Sequence, residues 1–196
     1  MAVDYWCELA WLGGAAAEPG VLLHVEGDRL AAVSRVAAPP ASVERLFGLT
    51  LPGLVSAHSH AFQRALRGRT HGGAGSFWTW RAQMYELVEG LDPDRFLALT
   101  RAAFGEMALA GITLVGEFHY LHHGPGGAAY SDPNEMGRAV VAAAASAGVR
   151  LTLIDACYLE GGPGISPDST QRRFSDGSAA GWRARVDALR DGPQAR

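Results

Sequence analysis

The chain has 196 residues, 48% hydrophobic and 19% charged, with a formal net charge of −3. That composition belongs to a globular protein with its own core, and it excludes the basic field that draws nucleic acid or an anionic membrane. No apolar run approaches the ~20 residues of a membrane span, and Asp4 and Glu8 stand where a signal peptide would carry basic residues and then an apolar stretch.

Residues 3–36 read as β-rich, with VDYWCELAWL and GVLLHVEGDRLAAVS on either side of a Gly-Pro loop. Glu26, Gly27 and Asp28 predict a hairpin turn between VLLHV and RLAAV. His24 alternates with apolar residues on a strand and reads as structural. Residues 36–42 are an Ala/Pro connector. Residues 1–50 are therefore expected to be a small β domain or part of one. Cys7 and Cys157 lie far apart without CxxC spacing, so they read as buried thiols, which suits a reducing cytoplasm.

Residues 51–63, LPGLVSAHSHAFQ, begin with a Pro-Gly turn and end in two histidines. A short apolar run bounded by turn residues predicts a buried strand. Side chains at i and i+2 share one side of a strand, so His58 and His60 point together. A bare His-x-His often means nothing, but at the end of a buried strand the pair is placed to hold one metal ion, at about 2.0–2.1 Å for zinc. The glycine-rich stretch 64–76 predicts a long loop of the functional kind. Its Gly72–Gly75 cluster has neither a preceding strand nor a following Gly-Lys-Ser/Thr, which excludes a phosphate loop. Phe77, Trp78 and Trp80 beside Arg81 suit a pocket wall with a guanidinium for a carboxylate. They suit ordinary core aromatics with a solvated arginine equally well.

Asp92 and Pro93 predict a helix start that runs to Gly111. A buried strand, 112–120, follows and ends in Glu117, His119 and Tyr120. Asp132-Pro133 predicts a second helix through Ala147, residues 149–160 a third strand, and Trp182, Val186 and Leu189 a last amphipathic helix. Strand and helix alternate, which argues for parallel β/α units in an α/β fold. In such sheets chemistry gathers at the carboxyl ends of the strands, where His58, His60, Glu117, His119, Tyr120 and Asp155 fall. His122, His123 and Asp155 read first as satisfied polar groups, and Glu117 and His119 carry no assigned role.

A small β domain followed by a strand ending in His-x-His resembles the amidohydrolase superfamily. Within it, HSHAFQRALRGRTH, SFWTWRAQMYE, GEFHYLHH and QRRF, in this order, resemble the formimidoylglutamate deiminases of bacterial histidine degradation. The resemblance implies the N-terminal part of a (β/α)8 barrel, residues 51–196, preceded by part of a β-sandwich, residues 1–50. It implies a cytoplasmic enzyme with one zinc that hydrolyses N-formimidoyl-L-glutamate to N-formyl-L-glutamate and ammonia, homodimeric in its full-length form. His58 and His60 would be zinc ligands, and Gln63, Arg81 and Tyr120 would contact the substrate.

The departure from the family is large. A third histidine, an aspartate and the acid–base histidine lie on later barrel strands in the family and have no counterpart here. A full barrel takes about 250 residues, so residues 51–196 reach only its first units. Catalytic acid–base residues are expected beyond residue 196, and the chain alone is expected to be inactive. Two other readings stay open: a deaminase of a purine or related ring, and a non-catalytic remnant that serves as a binding module.

Overall fold

Strand β1 (Ala2–Ala10) is the centre of the first unit, residues 1–53, of a computed structural model that describes residues 2–70 and 75–190. It pairs antiparallel with β2 (Glu18–Glu26) and parallel with β4 (Glu44–Thr50), while β2 pairs antiparallel with β3 (Arg29–Arg35). The sheet order is β3-β2-β1-β4. The predicted hairpin forms: Glu26 pairs with Arg29 across a two-residue turn whose Gly27 has φ +62°, a value that a side chain would resist. Cys7, Ala10 and Val21 are buried against Leu23 and Leu46. Strand β4 had no separate sequence signal. Together these strands make one layer. His24 lies opposite Asp4 in the β1–β2 register and pairs with it at the surface.

The second unit, residues 54–196, begins with β5 (Leu54–Ser59) and a 3-10 turn (Ala61–Leu66). Then follow α1 (Phe77–Glu89), α2 (Pro93–Leu109), β6 (Ile112–His119), α3 (Glu135–Ala147), β7 (Arg150–Asp155) and α4 (Ala179–Arg190). Strands β5, β6 and β7 form a parallel sheet in that order. The helix ends follow their capping chemistry. Ser76 and Thr79 make a reciprocal capping box at α1. Asp92 caps α2 with Pro93 in its first turn, and Gly148 ends α3 at φ +71°.

One face of the three-stranded sheet carries the core. Phe96, Phe104, Val115, Met136, Val140 and Ala143 are buried together there. On β6 the buried residues Val115, Glu117 and His119 alternate with Phe118, which is 40% exposed on the other face. Period-2 alternation thus splits the sheet into a packed side and a side that shows Phe118 and Ile154 to solvent.

Five expectations need correction. Strand β5 is not the buried strand expected, because Leu54 and Val55 are 56% and 61% exposed and only Ser59 is buried. Helix α3 starts at Glu135 rather than at Asp132-Pro133: the Asp132 carboxylate accepts the Asn134 N–H (2.9 Å) as a cap would, but residues 132–135 form a turn closed by the Glu135 N–H on the Asp132 carbonyl (3.1 Å), and the regular helix begins only after it. Strand β7 stops at Asp155, well short of residue 160. Cys157 is exposed; only Cys7 is the buried thiol expected. Phe77 and Trp78 are 60% and 65% exposed, so they are not core aromatics. Of the glycine cluster, Gly72 and Gly73 lie outside the described residues. No helix among the described residues is long and apolar enough to cross a membrane.

Candidate functional site

His58 is the last residue but one of β5, and His60 follows it by two residues, as the strand period requires. Their Nε2 atoms face each other at 3.0 Å. Two imidazole nitrogens at that distance either share a proton or present two lone pairs to one cation. His60 Nδ1 lies 3.3 Å from the Phe118 carbonyl, which can only accept. Nδ1 therefore carries the hydrogen and Nε2 the lone pair. Two ligands at about 2.0–2.1 Å on a tetrahedral ion would sit about 3.3 Å apart, close to what is found. Burial holds the His60 imidazole below its ordinary range, the Phe118 carbonyl opposes this, and His58 adds to it. The ring is neutral at pH 7, as a ligand must be.

The turn that follows is fixed by a buried acid. Glu117 is buried on β6 and its Oε1 accepts the Ala61 N–H at 2.7 Å. Burial raises the Glu117 carboxyl above its ordinary value, and Ser59 and the Ala61 N–H beside it oppose this. That bond ties the residue after His60 to the neighbouring strand. The cleft beside the histidines is lined by Ala103, Glu106 and Met107 of α2 and by Arg64, which pairs with Glu106.

Gln63 and Tyr120 meet: Gln63 Nε2 donates to the Tyr120 oxygen at 3.0 Å. The Tyr120 ring stands 5.8 Å from the His60 ring, edge to face. Burial pushes the Tyr120 hydroxyl up to about 12, so it stays protonated. Arg81 stands farther along, with its guanidinium 4.7 Å from the Trp78 ring and 5.3 Å from the Tyr85 ring. A run of ring contacts joins it to the histidines: Tyr85 to Phe174 (5.9 Å), Phe174 to Tyr120 (5.1 Å), Tyr120 to His60. His58, His60, Gln63 and Tyr120 thus come together directly, and Arg81 reaches them through a wall of aromatic side chains.

The remaining polar residues form a second, buried group behind β6 and β7. Arg185 of α4 clamps Asp155 through Nη1 (2.9 Å) and Nη2 (2.7 Å), and Asp176 through Nε (2.9 Å) and Nη2 (3.0 Å). Trp182 donates to Asp155, and His123 Nε2 lies 3.0 Å from Asp176. Burial alone would raise both carboxyls, but the bonds from Arg185, and that from His123 to Asp176, hold them below the ordinary carboxylate range. His119, His122 and Asp155 offer ligand atoms within 4.8 Å of one another. That set fits a cation poorly: both Asp155 oxygens are engaged, and the guanidinium adds a positive charge beside them. Burial lowers His119 to about 3 and His122 to about 4, so both are neutral. Asp155 is a satisfied polar group, as expected, whereas His122 and His123 each bond through Nε2 but keep a buried Nδ1 without a hydrogen-bond partner among the described residues. Arg185 lay in a polar helix whose pattern pointed to Trp182, Val186 and Leu189, and the sequence carried no signal for its burial.

Residues 49–193 match the family model described as "Amidohydrolase family". The chain belongs to the amidohydrolase family. It is 42% identical over 164 residues to a formimidoylglutamate deiminase from Pseudomonas aeruginosa, covering 82% of this chain and 36% of that protein. It is 30% identical over 116 residues to an 8-oxoguanine deaminase from the same organism, covering 59% of this chain and 24% of that one. The chain therefore spans about a third or less of the curated relatives it matches. Among solved structures, an amidohydrolase from Brucella melitensis superposes with TM-score 0.82 at 29% identity, over 95% of this chain and 44% of that chain. A mutant of the atrazine chlorohydrolase TrzN from Arthrobacter aurescens, complexed with zinc and atraton, superposes with TM-score 0.67 at 20% identity, over 83% of this chain and 37% of that one; it shares the fold.

Proposed function

We propose that this chain supplies the first part of a zinc-dependent site that hydrolyses N-formimidoyl-L-glutamate to N-formyl-L-glutamate and ammonia, in histidine degradation. The facing Nε2 atoms of His58 and His60, with the His60 tautomer fixed by Phe118, carry the metal part of the reading. The named deiminase relative carries the substrate part. Zinc, when bound, lowers the pKa of a water toward ~7 and so supplies a nucleophile at neutral pH.

The chain's own residues hold and orient. His58 and His60 present lone pairs from one strand end. The Gln63 amide, donating to Tyr120, keeps the phenol hydrogen free to swing between the Met84 sulfur (3.7 Å) and a polar substrate atom. Arg81 meets a carboxylate of the glutamate part, for which its planar fork is suited. A catalytic zinc usually has three protein ligands plus water. The remaining ligands and the acid–base group are assigned to residues outside 1–196, with the incomplete barrel, the β-sandwich, the homodimer and the cytoplasmic location that the family resemblance implies. On this reading the isolated chain is inactive.

A chimera tests the proposal. Residues 1–196 replace the matching segment of the Pseudomonas aeruginosa deiminase, and ammonia release is measured with N-formimidoyl-L-glutamate and with 8-oxoguanine. Release from the amidine alone, lost in His58→Ala and His60→Ala, is expected. A folded, zinc-loaded chimera that releases none, or that prefers the purine, refutes the reading.

A further inference from the structure

We propose that Arg173 is the positioning residue that sets the gap between Arg81 and Tyr120. The inference rests on the reading above that these two side chains meet the substrate, and it adds the residue that keeps them a fixed span apart.

Arg173 is the largest side chain that the core encloses completely, at 0% exposure, although it carries a charge. Every branch of its guanidinium ends on a backbone carbonyl. Nε donates to His123 at 3.0 Å, Nη1 to Val88, and Nη2 to Leu91 at 2.7 Å. No carboxylate pairs with it among the described residues. A buried charge without a counter-ion is costly unless dipoles face it, so these three carbonyls are what hold it there. Val88 lies in the last turn of α1, and Leu91 in the bend to α2. The last carbonyls of a helix lack partners within it and carry the negative end of its dipole. Helix α1 has no basic residue in its own last turn. Arg173 supplies that charge from 85 positions further along the chain.

The same residue fastens the segment after Tyr120. Its carbonyl accepts the N–H groups of His122 (3.0 Å) and His123 (2.9 Å), while its Nε hydrogen goes to the His123 carbonyl. The neighbours of Arg173 reach α1 as well. Thr170 donates to Glu89 at 2.6 Å, and the buried Gln171 amide donates to the Tyr85 oxygen at 3.1 Å. Phe174, 1% exposed, packs its ring against Tyr85 (5.9 Å) and Tyr120 (5.1 Å). The 3-10 turn Gln171–Phe174 is thus a bracket with α1 on one arm and the end of β6 on the other, and Arg173 is hydrogen-bonded to both. Arg81 lies seven residues before Val88, about 10.5 Å along the helix axis, so slack at Val88 is carried to Arg81 by the helix. His58 and His60 are placed separately, by β5 and the Phe118 carbonyl. The bracket therefore governs the far end of a substrate and leaves the metal end alone.

Nitroxide labels read the gap in the full 196-residue chain. One goes on Cys157, which is exposed next to Ala156, whose N–H donates to the His119 carbonyl at 2.9 Å. The other goes on Ala82→Cys, at an exposed position beside Arg81. Cys7 is buried and stays unlabelled. With Arg173 in place the distance distribution should be single and narrow. Arg173→Met should broaden it about twofold or more, and Arg173→Lys, which keeps the charge without the planar fork, should fall between. Methylguanidinium added to Arg173→Ala should narrow the distribution again, a rescue that a general structural defect would not show. A broad distribution with Arg173 in place overturns the proposal even if no variant folds, as does a folded Arg173→Met whose gap is unchanged.

In the deiminase chimera, Arg173→Lys should raise KM for N-formimidoyl-L-glutamate about tenfold while kcat stays within about twofold. Its preference over N-formimidoyl-L-aspartate, one methylene shorter, should fall. A loss confined to kcat, with that preference kept, overturns the proposal. A chimera inactive with Arg173 in place sinks the deiminase reading alone, because the label distances still decide whether Arg173 sets the gap. An active chimera with an unchanged gap in Arg173→Met sinks this inference alone.

Discussion

Replacing Arg185 with methionine should be among the most damaging single changes in residues 54–196. The guanidinium is 5% exposed and makes two bidentate clamps, on Asp155 at the end of β7 and on Asp176 ahead of α4. Methionine keeps the volume of the stem and removes every donor, leaving two carboxylates whose side chains are 7% and 8% exposed. Removing one partner of a buried ion pair costs about 3–5 kcal/mol. Trp182 and His123 still donate to the two acids, which points to the lower end, about 3 kcal/mol. Against a total stability of about 5–15 kcal/mol for a domain, that is a large fraction. Urea unfolding followed by circular dichroism at pH 7 measures it, with Arg185→Lys as an intermediate case that keeps the charge and loses the fork.

The pH dependence of that difference has a definite sign. Pairing lowers the folded-state pKa of Asp155 and Asp176. Their contribution is present above the unfolded carboxylate value of about 3.9 and fades as pH falls through the lowered folded values. Arg185→Met and the unaltered protein should therefore converge in strong acid. A loss under about 1 kcal/mol at pH 7, or one that does not shrink in acid, would show that the clamp does not fasten α4 to β7.

Three further outcomes are expected. His119 and His122 are neutral when folded, at about 3 and about 4, so the unfolded chain takes up protons first as pH falls below about 6.5; stability should drop by up to about 1.4 kcal/mol per pH unit for each histidine between pH 6.5 and 4, and a flat unfolding curve there refutes the burial argument. Glu117→Ala strips the Ala61 N–H of its acceptor and should cost about 1–3 kcal/mol with weaker zinc binding by titration, whereas Glu117→Gln keeps an oxygen for that bond and should retain both. Phe104→Ala, at a fully buried position of α2, should cost about 3–5 kcal/mol in denaturant melts, and a loss below about 1 kcal/mol would mean that the core collapses around the gap.

The parts legible in the sequence were those set by local rules. Alternation of strand and helix, the caps at Asp92 and Gly148, the Gly27 turn and the shared face of His58 and His60 all follow from residues within a few positions of one another. The parts that were not legible depend on groups far apart in sequence. Arg185 is a charge on a polar helix until Asp155 and Asp176 surround it. Composition could not place Phe77 and Trp78, because their exposure depends on which helix face the core takes. Gln171 belonged to the QRRF motif, yet nothing in the motif told that its amide reaches Tyr85.

The uneven exposure of the two thiols has a practical outcome. Cys7 is sealed inside the first sheet, while Cys157 is open to solvent one position before Tyr158. A maleimide probe under native conditions should attach at one place only, beside the aromatic wall that leads from Arg81 to the histidines. Its emission would follow occupancy of that wall in real time, without any substitution in the sequence.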